Sequence, residues 1–155
     1  MSHRILLMSL VVLLAAGVST AGEMAWFDME NCGMCKNMSS NPEMMNSISW
    51  EQHPISNGIV SVTTVPEQYL LNYRKAHEAM VATGEKLGQG EMIEMCGSCT
   101  ALGTCLMKGP KQEYVETAHG DVWILTSDNP ELVKELQAWA KRNREEMAKM
   151  KAAKG

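Results

Sequence analysis

The sequence predicts an α+β protein that is a tandem duplication of one α-β-β-α unit. A shift of the 155-residue chain along itself by 64 positions places Cys32-Gly33-x-Cys35 on Cys96-Gly97-x-Cys99, and Pro66-Glu67 on Pro130-Glu131, without a gap. Each copy also carries a hairpin pattern around a glycine-containing turn. Because a unit of about 60 residues buries little surface alone, we expect one four-stranded antiparallel sheet with helices packed on it.

The first 21 residues have the features of a cleavable signal peptide. Arg4 precedes an apolar run from Ile5 to Ala16, and the small residues Ser19 and Ala21 suit a signal peptidase. The run is shorter than the roughly 20 apolar residues that span a bilayer. We therefore expect residues 1–21 to be removed and the mature protein to be exported, periplasmic or extracellular, without a membrane anchor.

The predicted organisation of the remaining chain follows the repeat. Residues 22–83 form the first copy, residues 84–90 a linker, residues 91–147 the second copy, and residues 148–155 a basic tail. Gly84 is expected to end the first closing helix, since glycine is a poor helix former. The net charge of −4 and the lack of a basic stripe argue against a nucleic-acid partner.

Each copy is expected to contain a Met/Cys segment, a hairpin and a closing helix. Sulphur-containing and apolar residues recur at intervals of three and four in the Met/Cys segments, which favours helix. Proline-containing capping boxes, Thr64 to Glu67 and Asp128 to Glu131, predict where the closing helices begin. The Met/Cys segments are predicted at residues 24–39 and 91–107. In the first predicted hairpin residues 47–53 pair with 59–65, and in the second residues 113–118 pair with 122–126.

Sulphur dominates the composition, with five cysteines and 14 methionines against a single phenylalanine. Thiolate and thioether donors select thiophilic ions, and a pseudo-two-fold between the copies would bring the two Cys-x-x-Cys pairs together. We therefore predict a soft-metal site for carrying, buffering or sensing an ion, with copper(I) favoured over zinc by the methionines, although methionine also fills irregular cores. The predicted ligands are Cys32, Cys35, Cys96 and Cys99, with Met29, Met34 and Met95 as additional donors. Besides the ion, the expected partner is another exported metal-handling or redox protein.

Thiol–disulfide exchange is an alternative. Trp26-Phe27-Asp28 followed by Cys32-Gly33-Met34-Cys35-Lys36 resembles the thioredoxin active-site segment over about eleven residues. The resemblance implies that Cys32 is the nucleophile and Cys35 the resolving thiol, since a cysteine near a helix start has a lowered pKa. The pattern departs from thioredoxin elsewhere, because no strand precedes the motif and Pro66 opens a helix rather than a strand.

Structural disulfides are the third interpretation, since exported chains meet an oxidising compartment. Bonds within Cys32–Cys35 and Cys96–Cys99 would close loops too short to stabilise the fold strongly, whereas a bond between copies would stabilise it more. Cys105 has no cysteine counterpart in the first copy. Its role, as a free thiol, an intermolecular bond or an extra ligand, stays open.

Overall fold

A computed structural model describes residues 24–153, so the predicted signal peptide lies outside the described residues. The first copy contains α1 (Cys35–Ser39), α2 (Pro42–Ser47), β1 (Ser49–Ile55), β2 (Gly58–Thr64) and, after a short 3-10 turn at Glu67–Tyr69, α3 (Leu70–Gly88). The second contains α4 (Gly97–Met107), β3 (Lys111–Thr117), β4 (Gly120–Thr126) and α5 (Pro130–Ala152). No helix in this part of the chain is long and apolar enough to cross a membrane.

One four-stranded antiparallel sheet unites the two hairpins in the order β1-β2-β4-β3, which confirms the predicted α+β fold class. The hairpins meet through β2 and β4, and Ser61 pairs with Trp123 at the centre of that ladder. Matching backbone bonds flank it, from Val65 N–H to the His119 carbonyl (2.8 Å) and from Ser127 N–H to the Asn57 carbonyl (2.9 Å). The sheet therefore has a pseudo-two-fold axis at its centre.

The sequence suggested a repeat without a gap, but the structure shows that the offset between the copies changes along the chain. The cysteine pairs are 64 positions apart, but the strands superimpose with an offset of 62, so that Gly58 corresponds to Gly120 and both second strands share nearly the same burial pattern. The segment between the cysteines and the hairpin is two residues shorter in the second copy. The connection from the hairpin to the closing helix, between Thr126 and Pro130, is two residues longer. Strand pairing imposes this offset, because a two-fold ladder fixes which residues face each other.

Both closing helices contact the hairpin of the other copy. Helix α5 packs on β1 and β2, and the Gln137 side-chain amide donates to the Ile55 carbonyl (2.9 Å). Helix α3 reaches β4 of the second copy, where the Tyr73 hydroxyl donates to Asp121. The first hairpin thus acquires its helical cover from the second copy, whereas α3 contacts the second hairpin through a few side chains and packs mainly with residues of its own copy.

Several predicted boundaries are wrong. Helix α3 continues through Gly84 to Gly88, so the connection begins after residue 88 rather than at residue 84. Helix α5 extends to Ala152, so most of the basic tail is helical. A single glycine costs a helix only about 1 kcal/mol, which the remaining turns of a 19-residue helix offset.

The predicted Met/Cys helices are shorter than expected, and the caps differ. Only Cys35–Ser39 and Gly97–Met107 are helical, because the residues preceding each are irregular and cross the other copy. Thr64 is a strand residue and no side chain caps α3. Asn129 rather than Asp128 caps α5, since its side chain accepts from Glu131 N–H (3.0 Å).

Alanine at Gly120 and at Gly84 is expected to change stability in opposite directions. A Cβ at Gly120 would lie 2.0 Å from the Thr63 carbonyl oxygen, and the residue has a φ of +137°, so Gly120→Ala should cost at least about 2 kcal/mol. A Cβ at Gly84 meets no atom within 4 Å, and Gly84→Ala should add about 0.5–1 kcal/mol. Urea unfolding of both variants checks this; equal effects at the two sites would contradict the described β2–β4 contact.

Candidate metal centre

The four cysteines of the two Cys-x-x-Cys pairs converge in one cluster. The Sγ atoms of Cys32, Cys35, Cys96 and Cys99 all lie within 4.8 Å of one another. Cys35 Sγ is 3.7 Å from Cys96 Sγ and 3.6 Å from Cys99 Sγ. A metal–sulphur bond of about 2.3 Å in a tetrahedral site gives sulphur–sulphur edges of about 3.8 Å. The arrangement is therefore consistent with a four-thiolate metal site.

The glycine of each Cys-Gly-x-Cys motif allows the backbone of the other copy to pack closely against the motif. Gly33 N–H donates to the Glu94 carbonyl (2.8 Å), and Gly97 N–H donates to the Ala25 carbonyl (2.9 Å). A Cβ at Gly33 would lie 2.3 Å from the Ile93 Cγ2 atom. The Cys-Gly-x-Cys pattern thus serves close packing between the two cysteine segments as well as ligand spacing.

Backbone N–H groups stabilise the thiolate form of the buried Cys32. Burial alone would raise its pKa, but N–H groups of Cys35, Cys96 and Met34 donate to its sulphur and lower the pKa to about 7. The pKa of Cys35 is raised, first by its hydrogen bond with Cys99 and then by burial and by the nearby thiolates. A cation at the centre would remove this repulsion between thiolates, since metal binding displaces protons.

The cluster is closed on one side and open on the other. Cys32 and Cys96 are only 1% and 2% exposed, whereas Cys35 and Cys99 are half-buried. The two half-buried cysteines line a cavity of about 580 Å³ between the helices and the sheet. Its lining includes five methionines, Met29, Met34, Met38, Met80 and Met147.

The structure separates the three predicted methionine donors. Met29 and Met34 line the same cavity as Cys35 and Cys99. Met95 is not among the lining residues, and its methyl carbon lies beside Gly103 of α4. Met80 and Met147 were not among the predicted donors, because nothing in the sequence places α3 and α5 beside the cysteines.

A buried polar network behind the second pair also escaped the sequence analysis. The Asn143 side-chain oxygen accepts from Trp26 Nε1 and from Ser98 Oγ, both at 2.8 Å. Trp139 Nε1 donates to the Ser98 carbonyl (3.1 Å), and the Arg142 guanidinium lies 4.0 Å from a Trp26 ring centroid. Ser98 lies between Cys96 and Cys99 of the cluster, so this network holds the first turn of α4 against α5.

Cys105 belongs to a different part of the molecule. It is buried in the core formed with Leu125, Leu132, Leu136 and Trp139. Burial raises the pKa of its thiol, and the charge of Glu135 adds to this effect. Its environment is that of a small apolar core residue.

Comparison with known proteins gives no match: no family model, no curated protein and no solved structure resembles this chain significantly.

Proposed function

We propose that this is an exported carrier or buffer of a thiophilic metal ion, with copper(I) as the preferred cargo and zinc as a weaker competitor. The observation that supports the proposal is the convergence of four thiols from two distant motifs within 4.8 Å. Soft sulphur ligands favour copper(I), and copper(I) competes well for sites that also accept zinc. Export is part of the proposal, based on the amino-terminal sequence.

The methionine-lined cavity favours exchange of the ion over purely structural binding. A structural zinc site has all four coordination positions filled by protein ligands, and here two of the four thiols, Cys35 and Cys99, also border a cavity that thioethers line. Thioethers are weak soft donors that hold copper(I) without requiring deprotonation. Met29 and Met34 would therefore pass an ion to and from the two open thiols.

The two alternatives fit the geometry less well. The thioredoxin resemblance requires Cys32 to attack a disulfide, but Cys32 is 1% exposed and its partner Cys35 is the more accessible thiol. Disulfide staples require sulphur–sulphur bonds of about 2.05 Å. The cysteines among residues 24–153 are free thiols, and Cys35 Sγ is 3.7 Å from Cys96 Sγ and 3.6 Å from Cys99 Sγ.

Competition for copper(I) tests the proposal. The zinc-loaded mature protein is titrated anaerobically with a coloured copper(I) chelate, and zinc release is followed with a zinc dye. One copper(I) per chain should displace the zinc. In Met29→Leu/Met34→Leu, the rate of copper(I) uptake should fall at least about fivefold with little loss of affinity, because methionine-to-leucine changes conserve volume.

The matched control replaces two exposed methionines, Met92 and Met107, with leucine. This variant should load at the wild-type rate. Retention of zinc against excess copper(I) would make zinc the resident ion, and equal loading rates in both variants would remove the role given to the cavity methionines.

A further inference from the structure

The sheet side of the same cavity carries several polar residues, where a packed sheet would have apolar ones. Gln52, Ser61 and Thr63 of the first hairpin and Tyr114 and Asp121 of the second line the cavity from the helix-facing side of the sheet. The register brings them together, since Gln52 pairs with Ser61 and Thr63 with Asp121. Buried polar groups are costly unless they are hydrogen-bonded, so this surface calls for an explanation that the metal cluster does not provide.

Asp121 places a carboxylate in the cavity wall. The residue is 5% exposed. The hydroxyls of Tyr73 and Tyr114 donate to its Oδ2 atom, the second at 3.2 Å. The hydrogen bonds described for that oxygen come from two neutral hydroxyls rather than from a basic side chain, so neither of them supplies a positive charge to the carboxylate.

Gln52 supplies an acceptor without a donor. The residue is 7% exposed, and its side-chain Oε1 is buried with no hydrogen-bond partner among the described residues. A buried polar atom left unpaired costs about 1–3 kcal/mol. Gln52 lines the cavity, so a rotation of its side-chain amide would present this oxygen to a ligand with an N–H donor.

Charge and aromatic rings in the cavity wall favour a cation as the ligand. Within residues 24–153 the lining includes no lysine or arginine, and Asp121 is its single carboxylate. The rings of Tyr73, His77 and Tyr114 stack beside it, with His77 and Tyr114 centroids 5.0 Å apart. Aromatic faces attract ammonium groups electrostatically.

We propose that this cavity binds a small organic cation, a protonated primary amine with an apolar or aromatic body. Its ammonium group donates to Asp121 and to Gln52 Oε1, and its body packs against the aromatic and thioether walls. The volume of about 580 Å³ suits such a ligand, since small-molecule sites range over about 300–1,000 Å³. The proposed site shares this cavity with Cys35 and Cys99 but uses the polar groups of the sheet, so its occupancy does not depend on a bound metal.

Three indole probes of similar size and different charge test the proposal in the wild-type protein. Calorimetry and NMR titration compare tryptamine, the neutral indole-3-ethanol and the anionic indole-3-acetate. Tryptamine should bind at least about tenfold more tightly than the alcohol, because only the amine is a cation, and the acetate should bind most weakly. Equal affinity of amine and alcohol, or no binding of the amine at about 1 mM, would overturn the proposal.

Two variants and one control assign the preference to the cavity. Asp121→Asn should reduce the amine-to-alcohol ratio to within about twofold, since it removes the negative charge. Gln52→Leu should weaken amine binding severalfold, since it removes an acceptor. Asp128→Asn, at a side chain that is 87% exposed, should leave the ratio unchanged. An unaltered ratio in Asp121→Asn, or one lowered equally by Asp128→Asn, contradicts the assignment.

A comparison of metal-free and zinc-loaded protein separates this site from the metal centre. The preference for tryptamine should appear in both forms. A preference present only in the zinc-loaded protein would mean that the amine coordinates the ion, and the cavity site would be wrong. Failure of the chain to bind metal would leave the amine measurement interpretable, because Asp121 and Gln52 lie outside the cysteine cluster.

Discussion

Cys96→Ser is expected to lower metal affinity by about a hundredfold to a thousandfold. Zinc binding to four-ligand sites contributes about 10–16 kcal/mol, or roughly 2.5–4 kcal/mol for each thiolate, and 1.4 kcal/mol corresponds to a factor of ten. Cys96 is buried, and its sulphur lies 3.7 Å from Cys35 Sγ. Serine is a hard, neutral donor with a high pKa, so it replaces neither the charge nor the softness of the thiolate.

Chelator competition and thermal unfolding with and without metal measure this loss. The metal-dependent gain in melting temperature should shrink with the affinity, since a ligand stabilises the state that binds it. Cys32→Ser, in the other copy, should be equally damaging because the site is shared. Two independent Cys-x-x-Cys sites would instead let each variant retain one bound ion.

Cys105→Ala provides the matched cysteine control. Cys105 is buried in the core beside α5 and does not belong to the four-cysteine cluster. Its replacement should cost about 1–2 kcal/mol of unfolding free energy and leave the metal affinity unchanged. A comparable loss of affinity in Cys105→Ala would show that Cys96→Ser acts through the fold rather than through the ligand.

The cysteine cluster could be predicted from the sequence because the two copies of the motif are related by symmetry. Two copies of a motif related by a two-fold axis are brought together wherever the axis passes near them. Cys32 and Cys96 are equivalent in sequence and both are buried at the cluster. Thus the internal repeat was enough to predict that cysteines 64 positions apart lie in contact.

The two-residue offset between cysteines and strands could not be predicted in this way. The best sequence shift aligned the chemically distinctive residues, whereas the strands contain interchangeable β-branched residues that match almost equally at neighbouring shifts. At an offset of 64, Trp50 falls on Tyr114, but in the sheet Gln52 and Tyr114 are the equivalent residues. A one- or two-residue slip becomes visible only when the strands pair.

The cavity depends on tertiary structure alone. Asp121 reads in the sequence as a turn residue between His119 and Val122, and only the pairing with Thr63 turns it toward the helices. Gln52 alternates with exposed Glu51 and His53, as in any half-exposed strand. Burial of such residues follows from which helix covers which hairpin, and the exchange of closing helices leaves no local pattern.

The buried network at Asn143 leads to the second large expected effect. Asn143→Leu should lower the free energy of unfolding by about 3 kcal/mol, because Trp26 Nε1 and Ser98 Oγ both lose their acceptor in a buried site. Metal affinity should fall severalfold as well, since Ser98 lies between the ligands Cys96 and Cys99. Asn72→Leu, an exposed asparagine on α3, should change stability by less than about 0.5 kcal/mol.

A double-mutant cycle distinguishes this network from a simple volume effect at Asn143. Trp26→Phe removes the indole donor, so Asn143→Leu in that background leaves one fewer donor unpaired. The two changes together should therefore cost less than the sum of the single changes, with a coupling energy of about 1–2 kcal/mol. Additive costs would mean that the 2.8 Å contact between Trp26 and Asn143 contributes nothing. An unaltered metal affinity in Asn143→Leu would limit the network to stability, because its second proposed effect is to hold Ser98, and with it the first turn of α4 that carries Cys99, against α5.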